Sequence, residues 1–87
     1  MEEQRTLCDL RPGESARVVA LRLGGGMRRR LLDLGLIDKT RVLCLGRSPG
    51  GDPTAFLVRG AVIALRACDC KGILIDGIAQ TEVSPWD

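Results

Sequence analysis

The sequence has no histidine and no tyrosine, and Phe56 and Trp86 are its only aromatic residues. Without imidazole, Ser-His-Asp and Cys-His catalysis are excluded. Zinc sites that use histidine are excluded with them. Two rings cannot line a groove for PxxP peptides and offer almost no platform for base stacking. No apolar run approaches the roughly 18 residues that would read as a membrane span. The start, Met1-Glu2-Glu3-Gln4-Arg5, lacks the basic stretch and apolar run of a signal peptide. A cytoplasmic location is therefore expected, where the four cysteines would be reduced thiols. Net charge is only +2, too small to favour general nucleic-acid binding.

What is present fits one small domain. At 87 residues the chain has room for one core, burying roughly 60–65% of its unfolded surface. Hydrophobic residues are 45% and charged residues 28%, which argues for a globular fold over disorder. The 13 basic residues include only Lys39 and Lys71 beside the arginines. Guanidinium favours directed contacts with carboxylates or phosphates over diffuse attraction.

The pattern predicts five short strands. Arg11-Pro12-Gly13-Glu14 is a turn, after which residues 16–23 alternate as a strand with one buried face. Gly24-Gly25-Gly26 breaks that strand, and Met27 to Leu34 reads as a short helix. Met27, Leu31 and Leu34 recur at i, i+4 and i+7, so they share an apolar face. Gly35 stands where a helix C-cap glycine belongs, and Leu36 or Ile37 can fold back to complete the cap. Further strands are expected at residues 41–45, 55–59, 61–66 and 73–75. Ser48 to Pro53 is a loop by composition, and Gly60 allows a tight reversal. Residues 67–72 read as a helical or turn segment, and nothing after Gly77 is periodic. Small sheets of this kind close or curl to hide their edges, so a five-stranded barrel is expected.

Chemistry-bearing residues are sparse. Cys68-Asp69-Cys70 is a C-x-C, not the C-x-x-C knuckle of structural zinc sites. Cys44 lies in phase with Val42 and reads as core, as does Cys70. A metal reading needs Cys8, Cys68 and Cys70 to converge. The glycine triplet entering a helix can bind an anion, but neither the Walker nor the dinucleotide-binding spacing is present. Asp9, Asp52, Asp69 and Asp76 sit at turns, where aspartate commonly accepts from backbone N–H groups. Arg28, Arg29 and Arg30 are a solvated face whose stems cover apolar surface, or else a docking surface around a part-exposed Leu32.

Taken in order, the motifs resemble a known family. They run Leu7-x-x-Leu10-x-Pro12-Gly13, a strand, Arg30-Leu31-x-x-Leu34-Gly35-Leu36-Ile37, and Ser48-Pro49-x-Gly51-Asp52-Pro53. Leu65-Arg66-x-x-Asp69-Cys70-x-x-Ile73-x-Ile75 completes the series. This is similar to the FeoA family, small cytosolic proteins of bacterial ferrous iron uptake. The resemblance implies an SH3-like five-stranded barrel, mainly β, with one short helix inserted after the first strand. It also implies a partner, the FeoB-type membrane transporter with its cytosolic GTP-binding domain, and a non-catalytic accessory or regulatory role. The turn before the second strand usually reads Pro-Gly in that family and here is Asp38-Lys39. Lys39 resists a positive φ, so a turn of another type is expected there.

The expected organisation is a barrel domain over residues 1–76 and a C-terminal tail over 77–87. Arg28, Arg29, Arg30 and Leu32 are the expected partner-binding residues. Leu31, Leu34, Gly35, Pro53, Gly60 and Leu65 are expected to define the fold through core, cap and turns. No catalytic residue is expected. The alternative is a metal-responsive domain in which Cys68 and Cys70 hold Fe2+ or another transition metal. A nucleic-acid-binding small barrel is disfavoured by charge and by the missing aromatics. An exposed edge strand would allow a homodimer.

Overall fold

The structure is a computed structural model that describes residues 5–36 and 39–80. Ile37, Asp38 and the tail residues 81–87, about which expectations were formed, lie outside the described residues.

Strand β1 (Arg5–Thr6) leads into a 3-10 turn at Leu7–Asp9. Then come β2 (Glu14–Leu21), helix α1 (Gly25–Asp33), β3 (Arg41–Arg47), β4 (Thr54–Val58) and β5 (Ala61–Leu65). A short helix α2 (Ala67–Cys70) and β6 (Ile73–Gln80) follow. The strands form one sheet in the order β1-β6-β2-β3-β4-β5, and every pairing is antiparallel. Register shifts interrupt β2–β6 at Ser15/Arg17 and Val18/Ala20, and β3–β4 at Cys44/Gly46. Each adds a residue to one side of its ladder, which bends the sheet and curls it into an SH3-like barrel around one core.

That core is aliphatic. Alternation on β4 turns Thr54, Phe56 and Val58 inward, and on β3 it turns Val42 and Cys44 inward. Val18, Leu31, Leu36, Val42, Phe56 and Ile73 are completely buried. Phe56 is the single ring among the described core residues, and the aliphatic side chains, led by Leu7, Leu10, Leu31, Leu36, Ile73 and Ile75, supply most of the remaining bulk.

Six strands replace the five expected, because the pair Arg5–Thr6 is too short to carry a period. The first long strand is β2, displaced from the expected 16–23 to Glu14–Leu21. The glycine triplet does not end it; Gly25 and Gly26 already belong to α1. Strand β6 runs well past the expected Ile75, because β2 holds it in register as far as Ser15↔Ala79 and Glu14↔Gln80. Those late residues are mostly exposed, so their pairing has no hydrophobic signature.

Side chains tie the loops and short helices to one another. The Asp52 carboxylate accepts from Ala67 N–H at 2.8 Å, giving α2 the N-terminal partner that its own cap residue Arg66 lacks. The Asp9 carboxylate accepts from Thr6 N–H at 2.9 Å while Thr6 Oγ1 accepts from Cys8 N–H at 3.2 Å. Asp9 and Asp52 therefore bind backbone amides, as expected of turn aspartates, Asp52 doing so across the fold, whereas Asp76 lies within β6 opposite Arg17 and Asp69 within α2. The loop before it is closed by Ser48, whose N–H and Oγ both donate to Pro53 O, at 3.0 and 2.7 Å. The Asp52–Pro53 peptide bond in that loop is cis.

Candidate partner-binding site

Helix α1 ends as the sequence predicts. Leu36 N–H donates to Leu31 O at 2.9 Å and Gly35 N–H to Leu32 O at 3.0 Å, the paired bonds of a Schellman cap. Gly35 has φ +98, and both Leu31 and Leu36 are fully buried, so the apolar clasp of the motif is in place. The clasp fixes the rotation of α1. Leu31 points into the barrel, while Arg28, Arg29, Arg30 and Leu32 stand in solvent.

Leu34 departs from expectation. It was placed on the buried stripe with Met27 and Leu31, yet as the C-cap residue it is 41% exposed. The reason is a cleft of about 470 Å³ between α1 and β5. The helix contributes Met27, Arg30, Leu31 and Leu34, the strand contributes residues 62–65, and Arg66 and Asp69 close one end. The barrel does not fill the space beneath the last turn of α1, so the stripe is buried at Leu31 and open at Leu34.

The far wall of this cleft was not read from the sequence. Val62 is 57% exposed, and Ile63 is half-buried. Arg59 and Gly60 both have positive φ, 52 and 85, so β4 and β5 are joined by a two-residue turn with the sign pattern of type I′. The register Val58↔Ala61, Leu57↔Val62, Phe56↔Ile63 then turns Ile63 and Leu65 inward and leaves Val62 and Ala64 outside. Period-2 alternation after Gly60 carried that signal. A shallower depression of about 430 Å³ adjoins the cleft and shares Val62 and Ala64 with it. Leu45, Pro53 and Ala55 continue its apolar floor. Leu32, Leu34 and Val62 are the large hydrophobic residues exposed among the described residues. Two of them line the cleft, and the third is on the same helix.

Pro53, Gly60 and Leu65 hold structural places: loop, turn, and the one buried residue of β5. Lys39 corrects the expectation for its turn. It adopts φ +70, and its N–H donates to Val18 O while Val18 N–H donates to Thr40 O at 2.9 Å. The exchange with β2 holds Lys39 in the left-handed region that a glycine would enter more readily.

The cysteines do not converge as a metal site requires. Cys8 and Cys70 meet at the α2 end, where Cys8 Sγ donates to Ala67 O at 3.5 Å. Cys68 is exposed and Cys70 buried, because residues two apart on a helix point to opposite sides. Among the described residues no group of three metal-binding side chains is assembled. Burial pushes the Cys70 thiol up to about 12, helped by the neighbouring Cys8 and by Asp69, Asp52 and Cys44. Burial also raises Cys44, with Arg47 opposing. A thiol must lose its proton to bind a metal, so Cys70 is poorly suited to the role. The C-x-C pair weighed as a ligand set is thus divided between surface and core.

The lining of the cleft is mostly apolar. Asp69 is the one carboxylate among its lining residues, and no hydroxyl or thiol side chain lines the cleft with it. Apolar walls with arginines at the rim have the make-up found at protein interfaces.

No curated protein matches the sequence significantly. A solution structure of FeoA from Chlorobium tepidum superposes with a TM-score of 0.81 at 31% identity, covering 93% of this chain and 77% of that one. The crystal structure of Stenotrophomonas maltophilia FeoA complexed with zinc, described as a prokaryotic SH3 domain protein, gives 0.75 at 30% identity, covering 83% and 89%. Iron(II) transport protein A from Clostridium thermocellum gives 0.78 at 25% identity; the alignment covers 83% of this chain but only 44% of that one. No helix among the described residues is long and apolar enough to cross a membrane. The FeoA domain family model matches residues 5–76, and the chain belongs to the FeoA family, which is linked to ferrous iron transport.

Proposed function

We propose that this protein is a non-catalytic accessory of bacterial ferrous iron uptake that docks on the cytosolic part of a FeoB-type transporter through α1. Arg28, Arg29 and Arg30 meet an acidic surface, and Leu32 with Leu34 supplies the apolar centre of the contact. One observation carries the reading: the exposed large hydrophobics gather on α1 and the β5 wall facing it, beside three consecutive arginines. Scattered single apolar residues are ordinary on a surface, whereas a cluster with a charged rim marks an interface. The family links the chain to the transport system, and the cleft's lining is consistent with binding in place of catalysis.

Isothermal titration of the transporter's purified cytosolic domain tests the reading. In the double variant R28E/R29E affinity should fall by about a hundredfold, two tenfold steps for two reversed charges. Wild-type binding should also weaken as salt rises, since exposed charges are screened within about 10 Å at 0.1 M ionic strength. Unchanged affinity in a variant with an unchanged melting temperature refutes the reading.

A further inference from the structure

The α1–β5 cleft is lined by residues 62, 63, 64 and 65, four in succession. Side chains alternate between the faces of a strand, so a cavity that touches every residue of such a run views the strand edge-on. Among the described residues, strand β5 is the last strand of the sheet and pairs only with β4. The two-residue turn decides which of its backbone groups are engaged. The closing pair Val58↔Ala61 exchanges hydrogen bonds, as the pair flanking such a turn does. Hydrogen-bonded and non-hydrogen-bonded pairs then alternate along the ladder. With the register Leu57↔Val62, Phe56↔Ile63 and Ala55↔Ala64, Ala61, Ile63 and Leu65 address β4. Val62 and Ala64 direct their N–H and C=O groups away from it, into the cleft. The opening therefore offers two amide donors, two carbonyl acceptors and an apolar wall at Met27, Leu31 and Leu34.

We infer that this edge takes up an extended polypeptide segment as an additional strand, hydrogen-bonded at Val62 and Ala64, with an apolar side chain seated against Leu34 and Met27 and acidic residues on either side of it. The inference rests on the docking reading above and specifies its mode: the transporter's cytosolic part supplies the segment. Charge selects that occupant over a second copy of this chain. Arg30 and Arg66 stand at the cleft, with Arg28 and Arg29 exposed on the same helix, against a single lining carboxylate, Asp69. An antiparallel pairing of two β5 strands centred on Ile63 would bring Arg66 of each copy to the Arg59-Gly60 turn of the other, setting like charges together. An acid-flanked segment meets opposite charge at the same positions. A new strand lies about 4.8 Å from its neighbour, which seats it inside the cleft and not over it.

The substitution Ala64→Pro tests the mode. It deletes the outward N–H of Ala64 while leaving the β4 pairing in place, the position on an edge strand where proline is tolerated. Ala64→Val retains the N–H and serves as control. With the purified cytosolic domain as titrant, A64P should bind at least about tenfold more weakly than A64V. Amide hydrogen exchange gives a readout that needs no variant: Val62 and Ala64 should exchange rapidly in the free protein and slow by at least about tenfold in the complex. If A64P binds normally and both amides stay fast in the complex while R28E/R29E abolishes binding, the helix docks alone and the added strand is refuted. If neither α1 nor β5 variants alter binding, both readings fall. If the two amides become protected as the isolated protein is concentrated, and its mass doubles in solution, the occupant is a second copy and the inference is overturned.

Discussion

The two edges of this sheet are handled in opposite ways. At one, β1 spans Arg5–Thr6 among the described residues, and the chain leaves it at once through the capped 3-10 turn at Leu7–Asp9. Leu7 and Leu10 drop into the core beside it, and Cys8 reaches α2. At the other, β5 has five residues, one of them buried, and its outer neighbours are the walls of a cleft. A short, covered strand is the usual protection of a sheet edge against unwanted pairing. A longer edge bordered by exposed Val62 and Leu34 forgoes that protection, which is consistent with an edge kept open for a partner. The contrast separates residues that stabilise the barrel from residues that meet another molecule.

The sharpest way to break the contrast is to truncate one apolar side chain on each edge. Leu7→Ala should cost about 2–5 kcal/mol, as deletions of a buried leucine do, because Leu7 is 1% exposed. Val62→Ala should stay within about 0.5 kcal/mol. Equilibrium urea unfolding measures both, and equal losses would mean that β5 is as covered as β1.

A second comparison sets crowding against open space. An added Cβ at Gly72 would lie 2.7 Å from Leu23 Cγ and 3.1 Å from Arg22 O, whereas nothing lies within 4 Å of Gly60. Arg22 N–H donates to Gly72 O at 2.6 Å, so the backbone there cannot easily retreat. Gly72→Ala should cost about 1–3 kcal/mol, the range for overpacking. The melting temperature should fall accordingly, and an unchanged value would show that Leu23 moves aside without cost.

The smallest expected effect is alkaline. Cys70 is neutral in the fold, with its thiol pushed up to about 12, and ionises near the ordinary value of 9.0 once exposed. Below pH 9 both states hold the proton and stability is intact. Above it the unfolded chain loses the proton first, so stability declines until the pH passes the folded value, reaching a loss of about 1 kcal/mol by pH 10. With no tyrosine in the chain, thiols dominate this range beside two lysines. Urea midpoints at pH 8 and 10 read the effect, and Cys70→Ala should reduce it. Cys68, exposed at the α2 end, should react with a disulfide reagent well before Cys70.

Local chemistry was legible wherever it stayed local. Gly35 announced the cap of α1, Gly60 the β4–β5 turn, and Val42 with Cys44 the inward face of β3. Sequence failed where a distant partner decides. Arg5–Thr6 is a strand only because Ile75 and Leu74 lie beside it. Residues 76–80 extend β6 because β2 pairs with them. Leu34 shares a helical face with Leu31, yet one is buried and the other open, since helical period reports direction and not what stands opposite.

The expected binding residues divide in the same way. Arg28, Arg29 and Leu32 are exposed as their spacing implies. Val62 and Ala64, which face Arg30 and Leu34 across the cleft, lie some thirty positions along the chain and enter only through folding.

The order of residues alone decided what this protein lacks and where its chain turns, because absent imidazole and rings, positive-φ glycines and alternating aliphatics act within a few residues. Which strand edge remains open, which thiols are separated and which leucine faces solvent were decided by the tertiary structure. Those properties depend on the distance between segments far apart in sequence, a distance set by the bending of the sheet and the rotation of α1.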